Sequence, residues 1–203
     1  MKDSTRFFDI LISAMLLILL LPLFIIIALL IKISSPGPVV FVQKRVGINN
    51  IDFNMYKFRT MRVNAARHGS LTVGARDSRI TGPGFFLRKF KLDELPQLIN
   101  VLKGDMSLVG PRPELRKFVD MYTPEQKFVL SVRPGITDYA SLTFKNENEL
   151  LASADDPEKF YIDEVMPAKL ALNKHYIFNK GLKSYFFIIF RTVFAVFNPY
   201  VHK

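Results

Sequence analysis

The amino-acid sequence predicts an α/β (α+β) fold, in which a small domain of helices surrounds a short β-hairpin and follows an apolar membrane helix. Three observations lead to this prediction. Residues 10–31 form one apolar run, and two stretches rich in β-branched and aromatic residues, 39–46 and 51–61, flank the turn sequence GINN. Apolar residues then recur at helical spacing beyond residue 92. We therefore divide the chain into a membrane helix, residues 1–33, and a domain, residues 34–203.

The apolar run Ile10–Ile31 is 22 residues long and is interrupted by Ser13 and Pro22. As one helix it would reach about 33 Å, which is enough for a hydrocarbon core of about 30 Å. A proline near the middle removes a backbone hydrogen bond and bends the helix. Two arrangements follow: the helix crosses the membrane once with a kink, or it enters the inner leaflet, turns at Pro22 and returns. Basic residues on both sides of the run give only a weak orientation signal.

Composition limits the possible functions. The chain has 203 residues, no cysteine and a formal net charge of +10. Disulfides and thiolate metal sites are thereby excluded, and the three histidines are too far apart for a two-histidine zinc motif. The positive excess lies in residues 32–91, which hold twelve Lys and Arg against Asp52 and Asp77. Such a block predicts a phosphate-rich partner, and we expect no nucleic acid because no nucleic-acid motif is recognised.

Local patterns predict the elements of the domain. The hairpin would place Lys57 and Arg59 on one strand face. The apolar spacing after residue 92 predicts a helix with Asp93 as its N-cap and Gly104 as its stop. Further helices are predicted over 114–121, 124–132 and 156–173, the last with a cap in DDPE, and RPGIT (133–137) is predicted to be a turn. The stretch 182–197 is short for a membrane span, so we expect either an interfacial amphipathic helix or a core helix.

The adjacent carboxylates Asp93 and Glu94 follow three basic residues within a few positions. Such a pair in a first helical turn is typical of a cap that complements the helix dipole. The basic neighbours favour the ionised carboxylate. An ionised aspartate presented to a phosphate group can act as a nucleophile or as a ligand of Mg²⁺, which suits sites with few carboxylates plus substrate phosphates.

The segment VGPRPE (109–114) places Arg112 between Pro111 and Pro113. The two prolines restrict the backbone on either side of the arginine. A guanidinium held in this way is well shaped for bidentate contacts with a phosphate. The alternative is a rigid turn whose arginine makes a salt bridge.

The segment Arg79–Glu114, RITGPGFFLRKFKLDELPQLINVLKGDMSLVGPRPE, resembles the signature of the bacterial sugar transferases. These are the monotopic phosphoglycosyl transferases that start glycan assembly on a polyprenyl carrier. The apolar N-terminal helix, YKFRTM (56–61), the acidic pair, GPRP and RPGIT occur in the order of the family. The resemblance therefore covers nearly the whole chain, through a long and specific set of motifs.

The resemblance implies the transfer of a sugar-1-phosphate from a UDP-sugar to polyprenyl (undecaprenyl) phosphate, with release of UMP. Asp93 would be the nucleophile that forms a covalent aspartyl intermediate, and Glu94 would assist in metal binding or in activating the acceptor. Both carboxylates would hold Mg²⁺. The residues expected to bind phosphates of the substrates are Arg88, Arg112, Lys57, Arg59 and Arg133.

The resemblance also implies that the apolar helix is re-entrant and broken at Pro22. The catalytic domain would then face the cytoplasm from the inner membrane of a bacterium. Three positions depart from the family pattern: Leu21 stands where serine is frequent, Asp138 follows RPGIT, and Tyr185 replaces an expected acidic residue. The residues around Asp138 are consistent with a different sugar subgroup. A homodimer is compatible with the family.

A function of another class requires fewer of these features. A non-catalytic membrane scaffold of a glycan-assembly complex needs the anchor and the basic block alone. It gives Asp93 no role beyond capping, so Asp93→Asn would be nearly silent, because asparagine caps a helix as well as aspartate does. A transferase that uses Asp93 as its nucleophile would lose turnover in the same variant.

Overall fold

The computed structural model describes residues 5–63, 74 and 77–197. Its first half contains two apolar helices, a hairpin and the elements around the acidic pair. In chain order these are α1 (Arg6–Leu19), α2 (Leu21–Ser34), β1 (Val40–Val46), β2 (Asp52–Phe58), α3 (Gly82–Lys89), α4 (Gln97–Lys103) and β3 (Ser107–Val109).

The second half is mostly helical. Its elements are α5 (Arg116–Val119), β4 (Gly135–Thr137), α6 (Tyr139–Thr143), α7 (Glu147–Ala152), α8 (Pro157–Phe160), α9 (Met166–Phe178) and α10 (Leu182–Phe197). Helices with two small two-stranded sheets agree with the predicted α/β class.

The apolar N-terminal run is not one helix. α1 and α2 meet at Leu20 with a bend of 62°, and Pro22 lies in the first turn of α2, where its missing N–H removes no helical hydrogen bond. Among the described residues, no single helix has the length and composition to cross a membrane, whereas this bent pair together does. A broken apolar pair is what a re-entrant helix requires, and its place in a membrane stays a prediction.

The first helix packs against the domain. Its partly buried residues Phe8, Ile12 and Leu16 lie on a core that includes Leu98 and Val101 of α4. The Arg6 guanidinium donates hydrogen bonds to the carbonyl oxygens of Val101 at 2.8 Å and of Met106 at 3.3 Å. The division into residues 1–33 and 34–203 stays a prediction, but the two parts share this core.

The predicted hairpin is confirmed. β1 and β2 pair antiparallel from Val40 opposite Phe58 to Val46 opposite Asp52. The turn includes Asn49 and Asn50, both with positive φ, a conformation that asparagine tolerates better than most residues. Asn100 of α4 fixes the hairpin, since its side chain accepts from the Tyr56 amide at 3.0 Å and donates to the Asn54 carbonyl at 2.7 Å.

Three predicted elements differ in the structure. RPGIT is not only a turn, because residues 135–137 form β4, which pairs parallel with β3. The cause is a close crossing of two glycines: a Cβ on Gly135 would overlap the backbone of Gly110. The helix predicted over 124–132 is a 3₁₀ helix, Gln126–Ser131, and the one over 114–121 is reduced to α5.

The C-terminal helices follow the prediction more closely. Asp156 caps α8 by accepting a hydrogen bond from the Lys159 amide at 3.0 Å, and a π-helical turn, Tyr161–Val165, continues into α9. α10 buries Tyr185 and Ile188 and exposes a phenylalanine-rich face. This helix therefore combines a core face with an apolar outer face, and its position at a membrane interface stays a prediction. Arg67 and Arg76, two cations of the basic block 32–91, lie outside the described residues.

Candidate active site

The acidic pair lies in a 3₁₀ turn, Leu92–Glu94, between α3 and α4. Asp93 and Glu94 are buried, with 7% and 8% of their surfaces exposed. The prediction that Asp93 caps the following helix is wrong, because α4 begins at Gln97 with Pro96 in the capping position. The Oδ1 atom of Asp93 is buried and has no hydrogen-bond partner among the described residues. A buried carboxylate oxygen without a partner is costly, and it points to a function beyond local structure.

Glu94 is held by two cations. Its Oε1 accepts a hydrogen bond from Lys57 Nζ at 3.0 Å and a short one from Arg112 Nη2, and its Oε2 accepts from Arg112 Nη1 at 3.2 Å. Burial by itself would raise the pKa of the Glu94 carboxyl, but Arg112 and Lys57 hold that pKa well below its usual range. Glu94 is therefore ionised and both its oxygens are engaged.

Asp93 has the opposite environment. Burial, followed by the charge of Glu94, raises the pKa of the Asp93 carboxyl, and the nearby cations Lys57, Lys91 and Arg88 oppose this rise. The sequence predicted that basic neighbours would favour the ionised form. They act in that direction, but burial beside a second carboxylate outweighs them.

Arg112 reaches Glu94 from a loop whose backbone is fixed at several points. The Gly110 amide donates to the Thr137 carbonyl at 3.0 Å, and the Gly135 amide donates to the Pro111 carbonyl at 2.9 Å. These bonds continue the β3–β4 pairing into the proline-rich segment. A rigid backbone limits the directions in which the guanidinium can point, so its pairing with Glu94 needs little further ordering.

The five predicted phosphate ligands divide into two groups. Lys57 and Arg112 contact Glu94, and the charge of Arg88, in the last turn of α3, acts on Asp93. Arg59 instead donates to the carbonyl oxygens of Ser35 and Pro36, at 2.7 and 2.8 Å, and so holds the segment after α2. Arg133 donates to the Gly104 carbonyl at 3.0 Å, beyond the far end of α4. Phosphate binding by any of the five stays a prediction.

Comparison with known proteins agrees with the motif analysis. The model of the family described as bacterial sugar transferase matches residues 2–199. The chain belongs to the bacterial sugar transferase family.

The names of two of the following three relatives include undecaprenyl phosphate, and the third is named for exopolysaccharide production. The UDP-N-acetylgalactosamine-undecaprenyl-phosphate N-acetylgalactosaminephosphotransferase of Aeromonas hydrophila is 41% identical over 96% of the chain and 44% of its own length. The exopolysaccharide production protein ExoY of Sinorhizobium fredii is 33% identical over 95% of the chain and 85% of its own length. The UDP-glucose:undecaprenyl-phosphate glucose-1-phosphate transferase of Escherichia coli is 37% identical over 77% of the chain and 35% of its own length. The chain thus spans less than half of two of these relatives.

Asp93 and Glu94 differ in how readily each could coordinate Mg²⁺. No cluster of three or more His, Cys, Asp or Glu with metal-binding geometry occurs among the described residues. The unpartnered Oδ1 of Asp93 suits one coordination position of a hard cation, with diphosphate oxygens supplying others. Glu94 would have to release Lys57 or Arg112 to contribute an oxygen. The donor set would therefore fit a metal held largely by phosphate oxygens of a ligand, with one position supplied by Asp93, and Mg²⁺ binding stays a prediction.

Sequence reasoning did not single out two further features of the structure. Arg45 donates to the Pro113 carbonyl at 3.2 Å and so supports the Arg112 loop, but only its positive charge marked it in the sequence. An open groove of about 600 Å³ lies between α6 and α10 and carries two cations, Lys145 and Arg191, beside apolar residues such as Phe187. A groove with cations and apolar walls has the chemistry to hold an anionic amphiphile.

Proposed function

We propose that this protein transfers a sugar-1-phosphate from a UDP-sugar to polyprenyl phosphate and releases UMP. The observation that most supports it is the buried, unpartnered Oδ1 of Asp93 beside a glutamate whose two oxygens are engaged by cations. Family membership supports the class of reaction, and the relatives' names support undecaprenyl phosphate as the acceptor. The donor and the steps below are our inference.

Asp93 serves as the nucleophile. Its carboxylate oxygen attacks the β-phosphorus of the UDP-sugar, and the bond between that phosphorus and the oxygen bridging to the α-phosphorus breaks. UMP leaves with that oxygen, and the sugar phosphate stays on Asp93 as an acyl phosphate. A phosphate oxygen of the polyprenyl carrier then attacks the same phosphorus, so that the Asp93–phosphorus bond breaks and the carboxylate is regenerated.

Lys57, Arg112 and Arg88 provide positive potential where charge builds on the phosphates. Lys57 and Arg112 are already ordered by Glu94, so little reorganisation accompanies the reaction. About 29% of the Arg112 side chain stays exposed despite its ion pair, which leaves part of the guanidinium accessible to a substrate. Mg²⁺ bound to the diphosphate and to Asp93 would supply further charge neutralisation for the departing UMP.

The lipid acceptor requires a membrane surface. The outer faces of α1, α2 and α10 expose large apolar side chains, among them Ile18, Ile33 and Phe190. Exposed apolar area on this scale marks an interaction surface. We infer that these faces seat the protein in the inner leaflet of the cytoplasmic membrane, where the carrier phosphate and a cytoplasmic nucleotide sugar can meet at the site.

The test is magnesium-dependent UMP release by the purified protein in lipid nanodiscs that contain undecaprenyl phosphate. The donors are UDP-N-acetylgalactosamine, UDP-glucose and related UDP-sugars. We expect UMP from one donor, and loss of turnover by at least about a thousandfold in Asp93→Asn, because the covalent route is closed. Asp120→Asn, which changes an exposed aspartate after α5, is the matched control and should keep full turnover.

The intermediate is tested without acceptor. Intact-mass analysis should show addition of one sugar phosphate to the wild-type protein and to Asp120→Asn, and none to Asp93→Asn. Substantial turnover in Asp93→Asn would refute the nucleophile assignment. A folded, membrane-bound protein that released no UMP from any donor would favour the scaffold instead.

A further inference from the structure

Asp138 is a fully buried carboxylate outside the acidic pair, with 0% of its surface exposed. It follows β4 directly and is the N-cap residue of α6. Its Oδ1 accepts a hydrogen bond from the Ser141 amide at 2.6 Å, and its Oδ2 accepts one from the Arg112 amide at 3.1 Å. The first contact is an ordinary helix cap, whereas the second connects α6 to the loop of the candidate active site.

The Arg112 amide lies between two residues that have no backbone N–H. Pro111 and Pro113 have no N–H, so Arg112 carries the one backbone donor between Gly110 and Glu114. A buried backbone N–H without a partner is costly. The Gly110 amide donates to the Thr137 carbonyl as part of the β3–β4 pairing. The Arg112 amide, the next backbone donor, donates to the side chain of Asp138 and not to a backbone carbonyl.

This contact lies at one end of a chain of interactions that reaches the acidic pair. Asp138 holds the Arg112 backbone, the Arg112 guanidinium holds both oxygens of Glu94, and Glu94 is the neighbour of Asp93. On the other side of Arg112, Arg45 holds the Pro113 carbonyl at 3.2 Å. The loop is thus fixed before and after Arg112, and the arginine backbone itself is fixed by Asp138.

We propose that Asp138 is a positioning residue, which holds the Arg112 backbone so that its guanidinium stays paired with Glu94 at the reaction site. The effect on turnover rests on the proposed function, whereas the hold on Arg112 does not. The competing explanation is that Asp138 serves α6 as a cap and that its distance to Arg112 has no consequence. The two explanations differ in a variant that keeps the cap of α6 but loses the hydrogen bond to the Arg112 amide. Only the first explanation expects such a variant to change the exchange rate at Arg112 and the turnover.

Asp138→Asn separates the two roles. The Ser141 and Arg112 amides bind different oxygens of Asp138, and asparagine has an NH2 group in place of one of them. In the same side-chain orientation asparagine can therefore accept from only one of the two amides, and as a good cap it is expected to keep the bond to Ser141. Asp138→Ser is a second variant, whose hydroxyl caps a helix but is too short to serve both amides. Asp156→Asn is the matched control, since Asp156 caps α8 through the Lys159 amide in an exposed position.

Hydrogen exchange of the full chain in nanodiscs reports the contact without any need for turnover. The segment 110–114 has backbone amides at Gly110, Arg112 and Glu114, and fragmentation in the mass spectrometer resolves them. We expect exchange at Arg112 to accelerate about tenfold in Asp138→Asn, as for the loss of one hydrogen bond to a charged acceptor. Exchange at Gly110 should stay as in the wild type, and Asp156→Asn should change neither amide.

Kinetics then test the consequence of the contact. With the UDP-sugar from which the wild type releases UMP, we expect kcat/KM to fall about tenfold in Asp138→Asn, while a melting curve shows that the variant is fully folded at the assay temperature. Unchanged exchange at Arg112, or faster exchange with unchanged kcat/KM, would overturn the proposal. If Asp138→Asn does not fold, Asp138→Ser is subject to the same criteria. A wild-type protein without turnover would refute the proposed function. The exchange rate of the Arg112 amide would still decide whether Asp138 holds the Arg112 backbone.

Discussion

Tyr185 of the last helix donates a hydrogen bond to Oδ1 of Asp9 in the first helix at 2.8 Å, and both side chains are fully buried. The same oxygen accepts from the Ser107 hydroxyl at 3.0 Å and from the Leu108 amide at 2.9 Å. One carboxylate thus joins α1, α10 and β3, the strand that leads to Gly110. The position of Tyr185 was expected to be acidic, but a second carboxylate would repel Asp9, whereas the phenol supplies a donor.

Replacement of Tyr185 by phenylalanine should weaken this junction. Tyr185→Phe removes one donor from a buried carboxylate whose other oxygen already has no partner among the described residues. We expect the free energy of unfolding to fall by about 1–3 kcal/mol, measured by chemical denaturation in detergent micelles. The control is Tyr122→Phe, because Tyr122 is also buried and its hydroxyl makes no hydrogen bond within the described part of the chain. Equal stability of the two variants would contradict the role of Tyr185.

The crossing of Gly110 and Gly135 should not accept a side chain. A Cβ on Gly135 would overlap backbone atoms of Gly110, and hydrogen bonds hold both segments in place. Gly135→Ala should therefore lower the free energy of unfolding by about 3 kcal/mol or more and reduce the yield of folded protein. Gly181→Ala is the matched control, because a Cβ there meets nothing within 4 Å. A Gly135→Ala protein as stable as Gly181→Ala would show that the two segments can separate.

Local features of the structure could be predicted from the sequence, whereas the surroundings of the site could not. Asn49 and Asn50 mark the hairpin turn, and Gly104 ends α4 in a left-handed conformation. These positions could be predicted because the preference of asparagine and glycine for positive φ depends only on the residue itself. Glu94, in contrast, meets Lys57 across 37 positions and Arg112 across 18. The sign of the pKa shift of Asp93 depends on burial by that same packing, so a count of basic neighbours gave the wrong sign.

The backbone crossing also lay beyond local reasoning. RPGIT contains a proline and a glycine, which are typical of turns, and nothing nearby shows that this glycine lies against another one 25 positions earlier. The parallel pairing of β3 and β4 follows from that long-range approach. Motif order, read as a family resemblance, predicted the family that the comparison shows, whereas the site residues that it implies stay predictions.

Loss of the Glu94 charge should destabilise the protein in a pH-dependent way. Glu94→Gln leaves the partly buried cations Lys57 and Arg112 without their anion. Breaking a fully buried pair costs about 3–5 kcal/mol, and the partial exposure of both cations places the expected cost near the lower end of that range. Because the pKa of Glu94 is lowered in the folded protein, its stabilisation is present above the unfolded value of about 4.3 and is lost as the pH falls through the folded pKa. We therefore expect a large difference in unfolding free energy between wild type and Glu94→Gln at about pH 7, and a smaller one at about pH 3.

An exposed ion pair provides the control for this experiment. Glu158 pairs with Lys117 at 2.6 Å, but about half of its side chain is exposed. Glu158→Gln should change the free energy of unfolding by less than about 1 kcal/mol at neutral pH. If Glu94→Gln behaved in the same way, solvent would have to reach Lys57 and Arg112 more freely than their burial indicates.

The topology of α1 and α2 can be tested cleanly because the chain contains no cysteine. One cysteine is added before Met1, and a second variant, Lys127→Cys, reports on the domain from an exposed position. A membrane-impermeant maleimide is applied to intact cells and to permeabilised cells. A re-entrant pair places both cysteines in the cytoplasm, so we expect neither to react until the membrane is opened.

Contacts at the beginning of α1 are the physical reason for this expectation. Arg6 donates to the carbonyl oxygens of Val101 and Met106, and Asp9 binds Ser107, so the first turns of α1 lie against the domain that carries the acidic pair. A single crossing would separate this helix end from the domain by about the 30 Å of the hydrocarbon core. Labelling of the added N-terminal cysteine in intact cells, with Lys127→Cys still protected, would mean that these contacts are broken in the membrane and that the bend of 62° at Leu20 is a kink within one span.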